Sequence, residues 1–212
     1  MRKRWQRLEG MRHLMAQGSF RVLLILILAT ANVALLTRST LAHWWEHPSG
    51  DCHYFIEETT IEVYRGTSRL AVKQAALDDW DSDTDVNFNI SAEHHPSGKD
   101  PDIAMFYSSY GETGWSGLAS IIDLDLDGDY CGFWPNWAEI NHGHAQWNRT
   151  YRPEDSDGQG ILCQEVGHLL GLNHCIEGDG DCAAGCGCMG KTYCNEINSV
   201  GAHEAAEINS FY

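Results

Sequence analysis

Gln164-Glu165-Val166-Gly167-His168-Leu169-Leu170-Gly171-Leu172-Asn173-His174 sets an amide and two imidazoles around a glycine. On a helix, residues four apart lie one above the other, so Gln164 and His168 share a face and Glu165 stands one step round. Gly171 is well placed to end that helix in a left-handed cap. The chain reversal there brings His174 back toward the other two side chains. Three donors on one ion leave a fourth position for water, the pattern of a catalytic zinc site rather than a structural one. Zinc lowers the pKa of its water to about 7, and a carboxylate next to a ligand can take that proton and return it to a leaving amine. The chemistry expected is hydrolysis of a peptide or protein substrate, with Gln164, His168 and His174 as ligands and Glu165 as general base and acid. A satisfied core histidine would explain either imidazole alone, but not both together with Glu165 and Gly171.

Working back toward the N-terminus, Trp137 to His142 alternates as a strand, and Ala119 to Leu124 reads as another. Val86, Phe88 and Ile90 alternate with polar partners, and Ile103 to Tyr107 is a short apolar run, so both predict strands. Ser68 to Trp80 spaces Leu70, Val72, Ala76, Leu77 and Trp80 as one helical face, a helix that packs on a sheet. Ile161 to Leu170 is the last clear helix, with Gly158 and Gly160 blurring its start. His142 and His144 are read as surface or cleft residues, with one of them able to replace Gln164 should the amide not coordinate. This order of elements predicts an α+β domain with a small mixed sheet, a packing helix, a site helix and a cystine-rich C-terminal tail.

The first 42 residues belong to something else. Arg2, Lys3, Arg4, Arg7, Arg12 and Arg21 precede an apolar run from Val22 to Leu36, the order of an export signal. The run is shorter than the roughly 18 residues of a confident span, and Ala31, Ala34 and Ala42 offer cleavage points. A cleaved signal peptide is expected, with a retained signal anchor as the alternative, and membrane contact follows only from the anchor. Either way residues 43–212 form the single domain, secreted or held on the outer face of the membrane.

The formal charge of the whole chain is −16. The export segment holds seven basic residues and one acidic, so residues 43–212 carry seven basic against 29 acidic, a charge of −22. Such a surface repels phosphate backbones and argues against nucleic acid as a partner. All eight cysteines lie beyond residue 42, and an even number in an exported chain favours disulfides. A zinc knot of Cys182, Cys186, Cys188 and Cys194 is the competing reading, against which both its spacing and an oxidising compartment count.

Asp123, Asp125, Asp127 and Asp129, with Gly128, reproduce the first half of a calcium loop. The position that should carry a bidentate Glu is Trp134, so a structural calcium site and a solvated acidic loop both stand. Asn89-Ile90-Ser91 and Asn148-Arg149-Thr150 are glycosylation sequons.

Glu165 through His174 resembles the metzincin signature, a helix carrying two ligands, a glycine turn and a third histidine, followed by a Met-turn. The resemblance implies a zincin fold, zinc, and Met189 as a floor beneath His168 and His174, with Tyr193 as an oxyanion-stabilising group. Metzincins carry His where this chain has Gln164. The run Cys163-Gln164-Glu165-Val166-Gly167-His168, with Gly114-Trp115-Ser116-Gly117-Leu118-Ala119 upstream, is similar to a mostly bacterial group of secreted zincin-like proteins with Gln at that position. The resemblance implies a disulfide between Cys163 and Cys188. An amide oxygen is a poorer zinc donor than imidazole, yet it is neutral and leaves the Lewis acidity of the ion unquenched. Three functions follow: a zinc endopeptidase, a metal-binding pseudoprotease acting as a binding module, and a calcium-dependent, disulfide-rich extracellular module without zinc chemistry.

Overall fold

The computed structural model describes residues 53–91, 100–124, 137–174, 187–190 and 199–212, all within the second of two compact units of the chain, Ala42–Tyr212. Residues 1–42, expected from the sequence to be an export signal, lie outside them, and among the described residues no helix is long and apolar enough to cross a membrane.

Alternation builds the sheet. In β2 (Thr60–Tyr64) Ile61 and Val63 point one way and are buried. The register continues that face through Ile103 and Met105 of β4 (Ile103–Ser108) to Gly143, Ala145 and Trp147 of β6 (Trp137–Asn148). β3 (Asn87–Ser91) pairs with β2, β2 with β4 and β4 with β6, all in parallel. β5 (Gly117–Leu124) closes the other side of β6 as an antiparallel strand with a bulge near Asp123, and β1 (His53–Phe55) runs parallel to the first three residues of β6. The sheet is therefore mixed, as the sequence predicts, and mainly parallel. β1 and β2 are strands that the sequence reading did not assign.

Three helices are described. α1 (Leu70–Asp83) buries Val72, Ala76, Leu77 and Trp80. Leu70, counted in the predicted stripe, is exposed. The Trp80 indole donates from Nε1 to the Cys163 carbonyl at 3.0 Å, which joins α1 to α2 (Asp155–Leu169). α2 begins six residues before the expected Ile161. Gly158 is the reason: its Cα rests on the Trp147 ring, where a Cβ would come within 2.6 Å. Helix propensity is lost there and close packing gained. At its far end α2 passes over Gly143, whose Cβ would lie 3.1 Å from Leu169 Cδ1. The helix thus runs back along β6 over the apolar face.

α3 (Ala202–Phe211), beyond the last cysteine of the chain, is a helix that the sequence reading did not assign. Of the eight cysteines only Cys163 and Cys188 fall among the described residues. Glu204 and Glu207 are buried with Ile208, so the inward face of α3 is partly acidic and its apolar period is weak.

Candidate metal centre

α2 ends where the sequence reading put its end. Gly171 has φ +104°. Its N–H donates to the His168 carbonyl at 3.0 Å, and the Leu172 N–H donates to Gly167 at 2.9 Å. These are the two bonds of a Schellman cap, which turns the chain back across the helix end.

That turn sets His168 Nε2 3.2 Å from His174 Nε2, with the rings at 82° to each other. The Nδ1–H of His168 donates to the Leu172 carbonyl at 2.7 Å. A carbonyl only accepts, so this bond fixes the tautomer and turns the Nε2 lone pair toward His174. Burial first, and the neighbouring His174 second, hold the pKa of His168 down to about 4, against the opposing pull of the Leu172 carbonyl. The ring is neutral at physiological pH, as a metal ligand must be. Two nitrogens each about 2.05 Å from one tetrahedral zinc would stand about 3.3 Å apart. The pair fits a transition-metal cation.

Gln164 lies one turn before His168. Its Nε2 donates to the Gly190 carbonyl at 3.1 Å, which leaves Oε1 as the amide's electron-pair donor. Among the described residues no three His, Cys, Asp or Glu side chains gather as a metal cluster. The Gln164 amide oxygen is a donor of another type, one helical turn from His168.

Glu165 is buried against β5. Gly117 faces its carboxyl, and the Ala119 N–H hydrogen-bonds to it. Burial pushes its pKa from 4.5 up to about 8, while the Ala119 bond pulls the other way. A carboxyl poised near neutrality can both donate and accept a proton.

Met189 is buried and lies against Gly167, on the underside of the turn that carries His168. A Cβ on Gly167 would run into the Met189 sulfur and come within 2.8 Å of Trp80 Cζ2. Cys163 and Cys188 are joined by a disulfide that ties α2 to the segment 187–190. Tyr193, Asp125, Asp127 and Asp129 lie outside the described residues. Asp123 is exposed at the end of β5, in register with His142.

His142 and His144 stand apart from this centre. Gly143 between them faces α2 through Leu169, so by strand alternation both imidazoles lie on the opposite face of the sheet. Neither can take the place of Gln164, which corrects the reading of the sequence.

Glu204 was missed altogether. Its carboxylate accepts from the Gly187 N–H at 2.8 Å, the Met189 N–H at 3.1 Å and the Gly201 N–H. It thereby pins the methionine segment to α3. An isolated acidic residue in a weakly periodic helix gives no sign of such a role.

Fold and site together define a mixed α/β domain with a buried carboxylate and paired imidazoles at the end of one helix. No family model matches the chain, and no curated protein matches it. Among solved structures it is similar to "Structure of Myroilysin" at 20% identity, covering 61% of this chain and 45% of that one with a TM-score of 0.28. It is similar also to "Crystal structure of myroilysin" at 21% identity, covering 64% and 53% with a TM-score of 0.29. The chain thus spans about half the length of these structures.

Proposed function

We propose that the protein is a zinc-dependent endopeptidase that acts outside the cell. The observation that carries the reading is the approach of His168 Nε2 to His174 Nε2 at 3.2 Å, one helical turn from a buried Glu165. His168, His174 and the Oε1 of Gln164 would hold the ion. Zinc bound there supplies Lewis acidity, which polarises a peptide carbonyl and acidifies water.

Glu165 moves the proton. Its carboxyl group accepts a hydron from the attacking water and delivers it to the leaving nitrogen. Among the described residues β5 pairs only with β6 and packs beside Glu165, so an extended peptide added to its other side would lie along the site. Met189, held by Glu204 and by the Cys163–Cys188 disulfide, supports the turn that carries the imidazoles. The basic and apolar start of the chain supports export, and the disulfide is in keeping with it.

A second reading rests on Gln164, whose amide is anchored to Gly190: the same centre holds zinc as a binding module and does not turn over. Zinc content and a peptide-library assay separate the two. The endopeptidase predicts chelator-sensitive cleavage that Glu165→Ala abolishes. Zinc uptake without cleavage of any library member leaves the binding module, and cleavage that survives Glu165→Ala refutes the assigned base. Gln164→His should tighten zinc binding, and unchanged affinity would exclude residue 164 as a ligand.

A further inference from the structure

We propose that His142 and His144 form a second cation site, on the face of the sheet turned away from α2, which takes a divalent transition metal through its paired Nε2 atoms. The two residues are i and i+2 on β6, so both side chains project from the same face. His142 Nε2 lies 3.1 Å from His144 Nε2, with the rings at 85°. The Nδ1–H of His142 donates to the Pro101 carbonyl, which leaves Nε2 as the unprotonated nitrogen. His144 is held from the side by the edge of Phe106, centroid to centroid 4.8 Å. The pair therefore repeats the construction at His168 and His174: a backbone carbonyl fixes one tautomer, and the two Nε2 atoms converge at the spacing of ligands on one tetrahedral ion.

The surroundings favour a cation. Asp102 acts electrostatically on His142 and Asp100 on His144. Asp123 stands opposite His142 in the β5–β6 register. Asp102 Oδ2 accepts the Glu62 N–H at 2.6 Å, which holds this negative charge beside His142. Two imidazoles with water completing the shell select zinc, copper(II) or nickel(II) over calcium, which requires oxygen donors. The competing account is a plain hydrogen bond, with His144 Nε2–H donating to His142 Nε2.

The site shares no ligand with the centre on α2, so the two readings fail separately. The experiment is a zinc titration of the chelator-stripped full chain, with bound metal measured directly. His142→Gln/His144→Gln should take up one equivalent less than the parent, and His168→Gln/His174→Gln should keep the equivalent that the first pair holds. Equal uptake by the parent and the His142/His144 double variant overturns the proposal. Unchanged uptake on removing His168 and His174 sinks the α2 centre and leaves this one standing. Should the double variant misfold, His144→Gln alone should abolish a zinc-dependent rise in Tm that remains in His168→Gln/His174→Gln. In that same His168/His174 variant, the 15N resonance of His142 Nε2 should move when zinc is added. A resonance that stays in place, with a proton persisting between the two rings, leaves the hydrogen bond as the whole account and overturns the proposal.

Discussion

Gly117 of β5 faces Glu165 of α2 so closely that a Cβ at position 117 would stand 2.9 Å from the carboxyl carbon and nearer still to Oε1. β5 and the buried carboxylate are fitted to each other, with Ile161 crowding the same spot.

Gly117→Ala must therefore move either β5 or the carboxyl group. The expected cost is about 1 to 3 kcal/mol of stability, the range for overpacking. Cleavage should fall by more than the lost folded fraction explains. Thermal melts run beside the peptide-library assay check this, and full cleavage by the folded variant would mean that the position of Glu165 does not matter.

Glu204→Ala strips the buried N–H groups of Gly187 and Met189, and the half-buried one of Gly201, of their shared acceptor. At about 1 to 3 kcal/mol for each unsatisfied donor, the loss should exceed that of an ordinary surface change severalfold. Glu204→Gln keeps an acceptor oxygen and should fall between. Urea denaturation of the three proteins should rank parent, Gln and Ala in that order, and equal midpoints would deny Glu204 its anchoring role.

The metal-free protein should lose stability as pH rises from 6.5 to 8. Folding raises the Glu165 pKa from 4.5 to about 8, so between those values the folded state binds the extra proton. The stability this group contributes is complete below 4.5 and is lost as pH rises through about 8. His168 falls from 6.5 to about 4, so its contribution is present above 6.5 and lost as pH drops through about 4. The two slopes cancel between about 4.5 and 6.5, and Glu165 alone acts above that, at roughly 1.4 kcal/mol per pH unit. Denaturation of chelator-treated parent and Glu165→Gln at pH 6.5 and pH 8 tests it, since the variant should lack the decline.

Asn148 is the hub of the loop that leads into β5. Its Oδ1 accepts from the Tyr110 and Thr150 N–H groups, and its Nδ2 donates to the Gly111 and Trp115 carbonyls and to Thr113 Oγ1. It is fully buried. In a host that glycosylates exported proteins, Asn148 should carry no glycan in the folded molecule, whereas the exposed Asn89 is open to modification. Peptide mapping after glycosidase treatment in labelled water decides the matter. Asn148→Ala should cost a few kcal/mol, at about 1 kcal/mol or more for each bond lost.

Local spelling carried a good part of this. The 3.6-residue period of Val72, Ala76, Leu77 and Trp80 marked α1, alternation marked β3 and the first half of β6, a short apolar run marked β4, and Gly171 marked the turn after α2, because each signal resides in neighbouring residues. The misses share a different physics. β2 carries alternation at Ile61 and Val63, yet five residues with a glutamate between them make a weak signal. In α3, Glu204 and Glu207 turn inward, which inverts the usual rule that charge faces water. The first two turns of α2 contain Gly158 and Gly160, and contact of Gly158 with the Trp147 ring explains why a helix persists there.

The order of residues by itself determined which side chains could share a helix face, where the helix had to reverse and which strands had one apolar side, since these depend on bond geometry over a few residues. Tertiary structure alone decided that β6 runs between β4 and β5, which puts Gly143 under Leu169 and sends His142 and His144 to the far face. It also decided that Glu165 is buried against Gly117 and that Glu204 reaches the backbone beside Met189. Those pairings join residues dozens of positions apart or on different elements, and their energies come from exclusion of water and close packing that no local pattern encodes.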